Sequence, residues 1–148
     1  MSRLSLLWCT TLALAGCHLP EREAALTPLA ENQPFNYVDL LARARSQATT
    51  ALEAFYVDAW SDLESVAIGL EQTARLLPKS NNVPTAVKDR IGPETDQLKL
   101  DARKLGDAAR AKDAMAVNTV LQRIFVRIRE LRVDEKIPPP QAPPEPGE

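Results

Sequence analysis

One His and two Cys are all the imidazole and thiol chemistry this 148-residue chain possesses. His18 stands next to Cys17, and Cys9 lies further toward the N-terminus. A Ser-His-Asp or Cys-His site needs an imidazole held beside its nucleophile, and no His falls on a segment with helical patterning. The same lack excludes a di-iron bundle, whose ligands include Glu-x-x-His pairs on facing helices. The five glycines never reach the spacing of a phosphate-binding loop. Carboxylates are plentiful, and Asp58, Asp62, Glu64 and Glu71 lie close in sequence. Their spacing describes the solvated face of one helix rather than an acid–base pair. No catalytic, metal or cofactor residue is therefore assigned, and the chain reads as a non-enzyme. Lys plus Arg number 18 against 20 Asp plus Glu, a net charge of -2, so no strong field draws it to nucleic acid.

Cys17 is the thiol with a specific chemical use. Arg3 supplies a short positive region, and residues 4–14 supply an apolar stretch of the length a secretory signal needs. That stretch is well short of the ~20 apolar residues that span a bilayer. It ends in Leu14-Ala15-Gly16-Cys17. This resembles the lipobox of bacterial lipoproteins, in which the Cys thiol is acylated with diacylglycerol and the leader is cut just before it. The resemblance implies a signal peptide over residues 1–16 and lipidation of Cys17. Cleavage there leaves a mature chain of 132 residues and removes Arg3 and Cys9, moving the net charge from -2 to -3. The expected location is the periplasmic face of the cell envelope, with membrane attachment through the N-terminal lipid. His18, rather than an Asp, after the acylated Cys points to the outer membrane.

The elements that follow are helical. Residues 17–34 read as a lipidated Cys and a disordered linker, punctuated by Pro20, Pro28 and Pro34. Residues 133–148 read as a disordered tail, since six of the twelve prolines fall in the last eleven residues. Between them no proline interrupts 35–77 or 94–137. A first helix is predicted from about Asn36 to Phe55, with Tyr37, Leu41, Ala44, Ala48, Leu52 and Phe55 on one face. A second runs from about Ala59 to Leu77 on a stripe of Leu63, Val66, Leu70, Thr73, Ala74 and Leu77, ended by Pro78. Tyr56-Val57-Asp58 is read as a tight break with Asp58 as cap, one continuous helix being the alternative. The connection from Lys79 to Gly92 holds one helical turn near 86–90. A third helix starts near Pro93, a favoured first-turn residue, and buries Leu98, Ala102, Leu105 and Ala109. Ala111-Lys112 is the next turn, and Asp113 caps a fourth helix with Val117, Leu121, Ile124, Ile128 and Leu131 as its seam. The pattern predicts an all-α, up-down-up-down four-helix bundle over residues 35–132.

Trp60 before an Ala and Leu stripe, Leu76-Leu77-Pro78, Leu98, Leu105, Ala108-Ala109, Lys112-Asp113 and a last helix ending in Leu131-Arg132 form a layout. It resembles the cytochrome c-prime-like bundles, in which the last helix carries Cys-x-x-Cys-His. With Arg132 on that family's Arg, the two Cys positions are Ile124 and Arg127 and the His position is Ile128. None is a haem-attachment residue, so the resemblance implies the fold without haem or electron transfer. The chain also looks like small lipoproteins of planctomycete-type bacteria, through Ala54-Phe55-Tyr56-Val57-Asp58 with Trp60, residues 70–75, and Arg129-Glu130-Leu131-Arg132. That group brings no activity with it.

Two functions from different classes remain. One is a lipid-anchored, non-catalytic bundle that acts by contact with an envelope protein partner or with its own copies, its oligomeric state open. The other is a haem-free bundle holding an apolar small molecule. Phe55, Tyr56 and Trp60 read as aromatic packing at a helix junction, and Met115 as a solvent-edge residue near a helix start. Arg123, Arg127, Arg129 and Arg132 read as a solvated, dipole-matched helix end. In an up-down-up-down bundle that end lies beside the start of the first helix. The four arginines are therefore expected to hold the bundle near anionic head groups.

Overall fold

The computed structural model describes residues 27–30 and 32–133, and they form four helices packed against one another. They are α1 (Tyr37–Tyr56), α2 (Trp60–Leu76), α3 (Lys88–Arg110) and α4 (Ala114–Glu130). Two short 3-10 turns, Leu77–Lys79 and Thr85–Val87, lie between α2 and α3. Each helix packs on the next in sequence, and α4 packs back on α1. The predicted signal peptide, Cys17, His18 and the tail from residue 134 onward lie outside the described residues.

Asn36 starts α1 by accepting a hydrogen bond from the Val38 amide at 3.4 Å, with Asp39 in the first turn. The buried stripe of α1 is wider than its predicted face. Leu40, Ala51 and Ala54 join it, while Leu52 and Phe55 are only half-buried. Alanines at 44, 48, 51 and 54 are fully buried, so the neighbouring helices approach the α1 backbone closely. The predicted stripes of the other three helices are all buried, Leu77 and Leu131 included.

The predicted break between α1 and α2 is present, but Asp58 does not cap α2. It sits at φ 54°, just past the end of α1. Its amide donates to the Phe55 carbonyl at 3.3 Å, and the Ala59 amide donates to Ala54 at 2.9 Å. This is a Schellman turn, in which orphan carbonyls at a helix end are satisfied by amides of a left-handed residue and its successor. Ala59 then begins α2 with no side-chain cap. Lys112 ends α3 in the same way, at φ 52°, with its amide on Ala109 and that of Asp113 on Ala108. Here the predicted cap holds: Asp113 accepts from the Ala116 amide at 3.0 Å. Glycine adopts a positive φ without a Cβ clash. Lys112→Gly is therefore expected to stabilise the fold by about 0.5–1 kcal/mol, read as a higher urea midpoint with unchanged slope.

Helix α3 begins five residues before its predicted start at Pro93. The Thr85–Val87 turn runs straight into Lys88, and Pro93 lies inside the helix. A proline there leaves the Asp89 carbonyl without its usual helical donor, a defect tolerable within the first two turns. The buried Thr95 hydroxyl donates to the Ile91 carbonyl at 2.6 Å, and Ile91 and Val87 are buried. Tertiary burial of these apolar residues extends the helix backward past the proline.

Two ties bring the start of α1 to the other chain segments at its end of the bundle. Tyr37 donates its amide to the Asn81 carbonyl at 3.0 Å, and the Asn81 amide donates to Phe35 at 2.8 Å. The buried Tyr37 hydroxyl donates to the Leu131 carbonyl at the end of α4. Burial raises its pKa above the ordinary 10.0, against a smaller lowering by Arg90 and Arg45. Because the folded value lies above the unfolded one, this stability is complete below pH ~10 and is lost as pH climbs through the folded value. Tyr37→Phe is expected to cost about 1 kcal/mol at neutral pH by orphaning the Leu131 carbonyl, and to lack that alkaline loss. Urea melts of both chains at neutral and alkaline pH check it.

Candidate functional site

The segment nearest the predicted lipidation site is held on the bundle. Gln72, one turn before the end of α2, clamps Leu29 from both sides: its Oε1 accepts from the Leu29 amide at 3.0 Å, and its Nε2 donates to the Leu29 carbonyl at 2.8 Å. Arg43 on α1 donates to the Thr27 carbonyl. Leu29 also packs against the core. The described part of the expected linker is thus docked rather than free. A side-chain amide replaces the partner strand that an extended backbone would otherwise need. Pro28 closes a recess of about 320 Å³ over Ser65, Ile68 and Gly69.

The aromatic trio lies at the α1–α2 turn as packing. Phe55 meets Trp60 edge-on at 6.3 Å and Tyr56 at 5.9 Å, and Tyr56 is 76% exposed. Met115, in the first turn of α4, is 82% exposed. It flanks an open groove of about 660 Å³ between α3 and α4, floored by Ala108, Ala116 and Val120 and edged by Lys104 and Asp107. This groove lies on the outside of the bundle. The three positions that the cytochrome c-prime-like resemblance would assign to haem attachment do other work. Ile124 and Ile128 are core residues, and Arg127 Nη1 reaches the Glu94 carboxylate at 3.2 Å.

The arginines of α4 do not form the expected solvated cluster. Arg123 Nε donates to Asp101 Oδ1 at 3.1 Å, with the Asp101 side chain only 6% exposed. Arg127 and Arg123 therefore bridge α4 to α3. Arg129 lies 3.9 Å from Glu130, and the Arg132 side chain is exposed. The reason is register. Positions 123 and 127 are one turn apart and flank the buried seam, where they meet carboxylates of α3, whereas 129 and 132 point outward. The sequence carries one sign of this: Asp101 interrupts the apolar stripe of α3 between Leu98 and Ala102. A carboxylate at a core-facing position calls for a cation on the facing helix. No comparable signal announces the Gln72 clamp.

Two carboxylates of α2 are tied to cations of α3. Glu64 meets Arg110 at 3.4 Å and Glu71 meets Arg103 at 2.6 Å, both at the surface. The Glu71 contact raises the Arg103 pKa. Among the described residues no group of three or more His, Cys, Asp or Glu is placed to hold a metal ion. Nor is any described helix long and apolar enough to cross a membrane. No known protein family, characterised protein or solved structure was found to match the chain.

Proposed function

We propose that the chain is a bacterial lipoprotein whose acylated Cys17 holds a helical bundle at the periplasmic face of the cell envelope, where the bundle acts by contact rather than by catalysis. The observation that carries this reading is the leader ending in Leu14-Ala15-Gly16-Cys17. Each buried methylene of an acyl chain adds ~0.8 kcal/mol of membrane affinity, so a diacylglyceryl group with a further acyl chain gives stable attachment. His18 after the Cys favours the outer membrane. An up-down-up-down helix order is supported by the two Schellman turns and by the Tyr37–Leu131 and Phe35–Asn81 ties, which gather the start of α1, the α2–α3 connection and the end of α4 at one end. A cytochrome c-prime-like bundle without haem accommodates Ile124, Arg127 and Ile128 at the attachment positions. Contact is favoured over a ligand held among the helices because Leu70, Leu98 and Ile124 are fully buried side chains that fill the interior.

Cys17→Ala tests the anchor. The unaltered chain is expected to lose its leader, gain acyl mass and fractionate with membranes. The variant is expected to stay unprocessed, carry no acyl mass and lose the lipid-dependent attachment that survives a high-salt wash. Equal processing and equal attachment of the two chains would refute the lipoprotein reading.

A further inference from the structure

We propose that the end of the bundle formed by the start of α1, the α2–α3 connection and the end of α4 lies against anionic lipid head groups, with the two tight turns directed away. This rests on the anchored reading above. Along the helices the charge is divided lengthwise, while the segments 18–36 and 134–148, which join the start of α1 and the end of α4, hold seven Asp or Glu against two Lys or Arg. The half comprising residues 37–46, 69–98 and 123–133 holds ten Lys or Arg against six Asp or Glu, an excess of four positive charges. The other half, 47–68 and 99–122, holds five against seven, an excess of two negative charges. Contacts between these segments put the first set together at one end: Tyr37 to Leu131, Asn81 to Phe35, and Arg90 to Glu130 at 3.8 Å.

The surface is not the arginine run of α4, because Arg123 and Arg127 are taken up by Asp101 and Glu94. It is drawn from four elements instead. Arg45, Lys79, Lys88 and Arg132 are all exposed, and none lies within ion-pair distance of a carboxylate among the described residues. Val38, 62% exposed, and Val133 stand among them as apolar side chains suited to the head-group boundary. The opposite end also exposes apolar residues, Tyr56, Val57 and Met115, beside Asp58, Lys112 and Asp113, whereas the first end sets exposed Asp39 and Asp89 among a larger number of cations. Contact through the opposite end would set a helix half of net negative charge against phosphates. Each cation near an anionic surface is worth about fivefold in affinity, so the exposed cations of the first end, beside the segment that leads to the anchor, favour that end. The tether permits it: Thr27 is held beside Arg43, in the positive half, and the ten residues back to Cys17 can span ~33 Å.

The test uses the lipidated full chain in vesicles bearing a head-group quencher. A fluorophore is placed on one introduced thiol, at Thr85→Cys on the positive end or Ala114→Cys on the negative end. In phosphatidylglycerol-containing vesicles at low salt, the Thr85 label is expected to be quenched more strongly than the Ala114 label. The contrast is expected to vanish in phosphatidylcholine alone and at about 1 M salt, where the screening length falls to ~3 Å. The salt arm needs no further substitution. Changing Arg45, Lys79, Lys88 and Arg132 together to Gln is also expected to abolish it, with an unchanged thermal melt. Equal quenching, stronger quenching at Ala114, or a contrast that survives phosphatidylcholine, salt or the four substitutions would overturn the proposal. Absence of acyl mass on Cys17 refutes the anchor separately. The label contrast then still decides the surface, since it reports which end meets the head groups however the chain arrives.

Discussion

Truncating Ile124 to Ala is expected to lower the unfolding free energy by about 2–5 kcal/mol. Ile124 is fully buried, and Leu121 and Ile128 on the same arc of α4 are nearly so. Removing their methyl groups forfeits transfer free energy and leaves a cavity that neighbouring helices close only in part. The loss is large against a domain stability of ~5–15 kcal/mol. For a bundle of this size each kcal/mol shifts the melting temperature by roughly 4–8 °C. Leu121→Ala and Ile128→Ala belong to the same range. Val126→Ala is the contrast on the same helix, because Val126 is exposed, and it is expected to stay within about 0.5 kcal/mol. Thermal and urea melts of these four variants check the register of α4. Losses under ~1 kcal/mol at all three seam positions would mean that the seam faces solvent.

Arg123→Ala is the second large effect, and its size depends on what is done to the partner. The Asp101 carboxylate is almost wholly buried and receives its hydrogen bond from Arg123 Nε. Deleting the guanidinium leaves a desolvated carboxylate without its cation. A fully buried broken pair costs ~3–5 kcal/mol; with Arg123 partly exposed, about 2–3 kcal/mol is expected. Replacing both together, Asp101→Leu with Arg123→Met, removes the stranded charge and is expected to be far milder than Arg123→Ala alone. The three urea midpoints decide it. A single substitution as mild as the pair would show that water, rather than Arg123, solvates Asp101.

Helix positions and seams were legible from sequence because period and proline placement are local properties. Val117, Leu121, Ile124, Ile128 and Leu131 repeat at three and four, and any helix bearing them must bury that stripe. Asp113 was readable as a cap for the same local reason: a short carboxylate before an uncapped helix start has amides within reach. The proposed leader and Leu14-Ala15-Gly16-Cys17 are likewise read as a linear pattern, and that pattern alone motivates the proposed lipid anchor.

Tertiary structure decided what depends on residues far apart in the chain. Pro93 reads locally as a helix start, yet burial of Val87 and Ile91 against the bundle carried α3 back to Lys88. Asp58 reads locally as a cap, yet the turn that lets α2 fold back on α1 required a left-handed residue there. Nothing in residues 27–30 announces docking, because Gln72 reaches Leu29 across 43 positions of sequence. Four arginines close together in sequence look like one patch, but two of them are taken up by carboxylates on another helix. Local patterning specifies which face of a segment is apolar. The pairing of its polar groups is set only when the helices choose their neighbours, because a hydrogen bond or ion pair forms within about 3–4 Å and sequence carries no such distance.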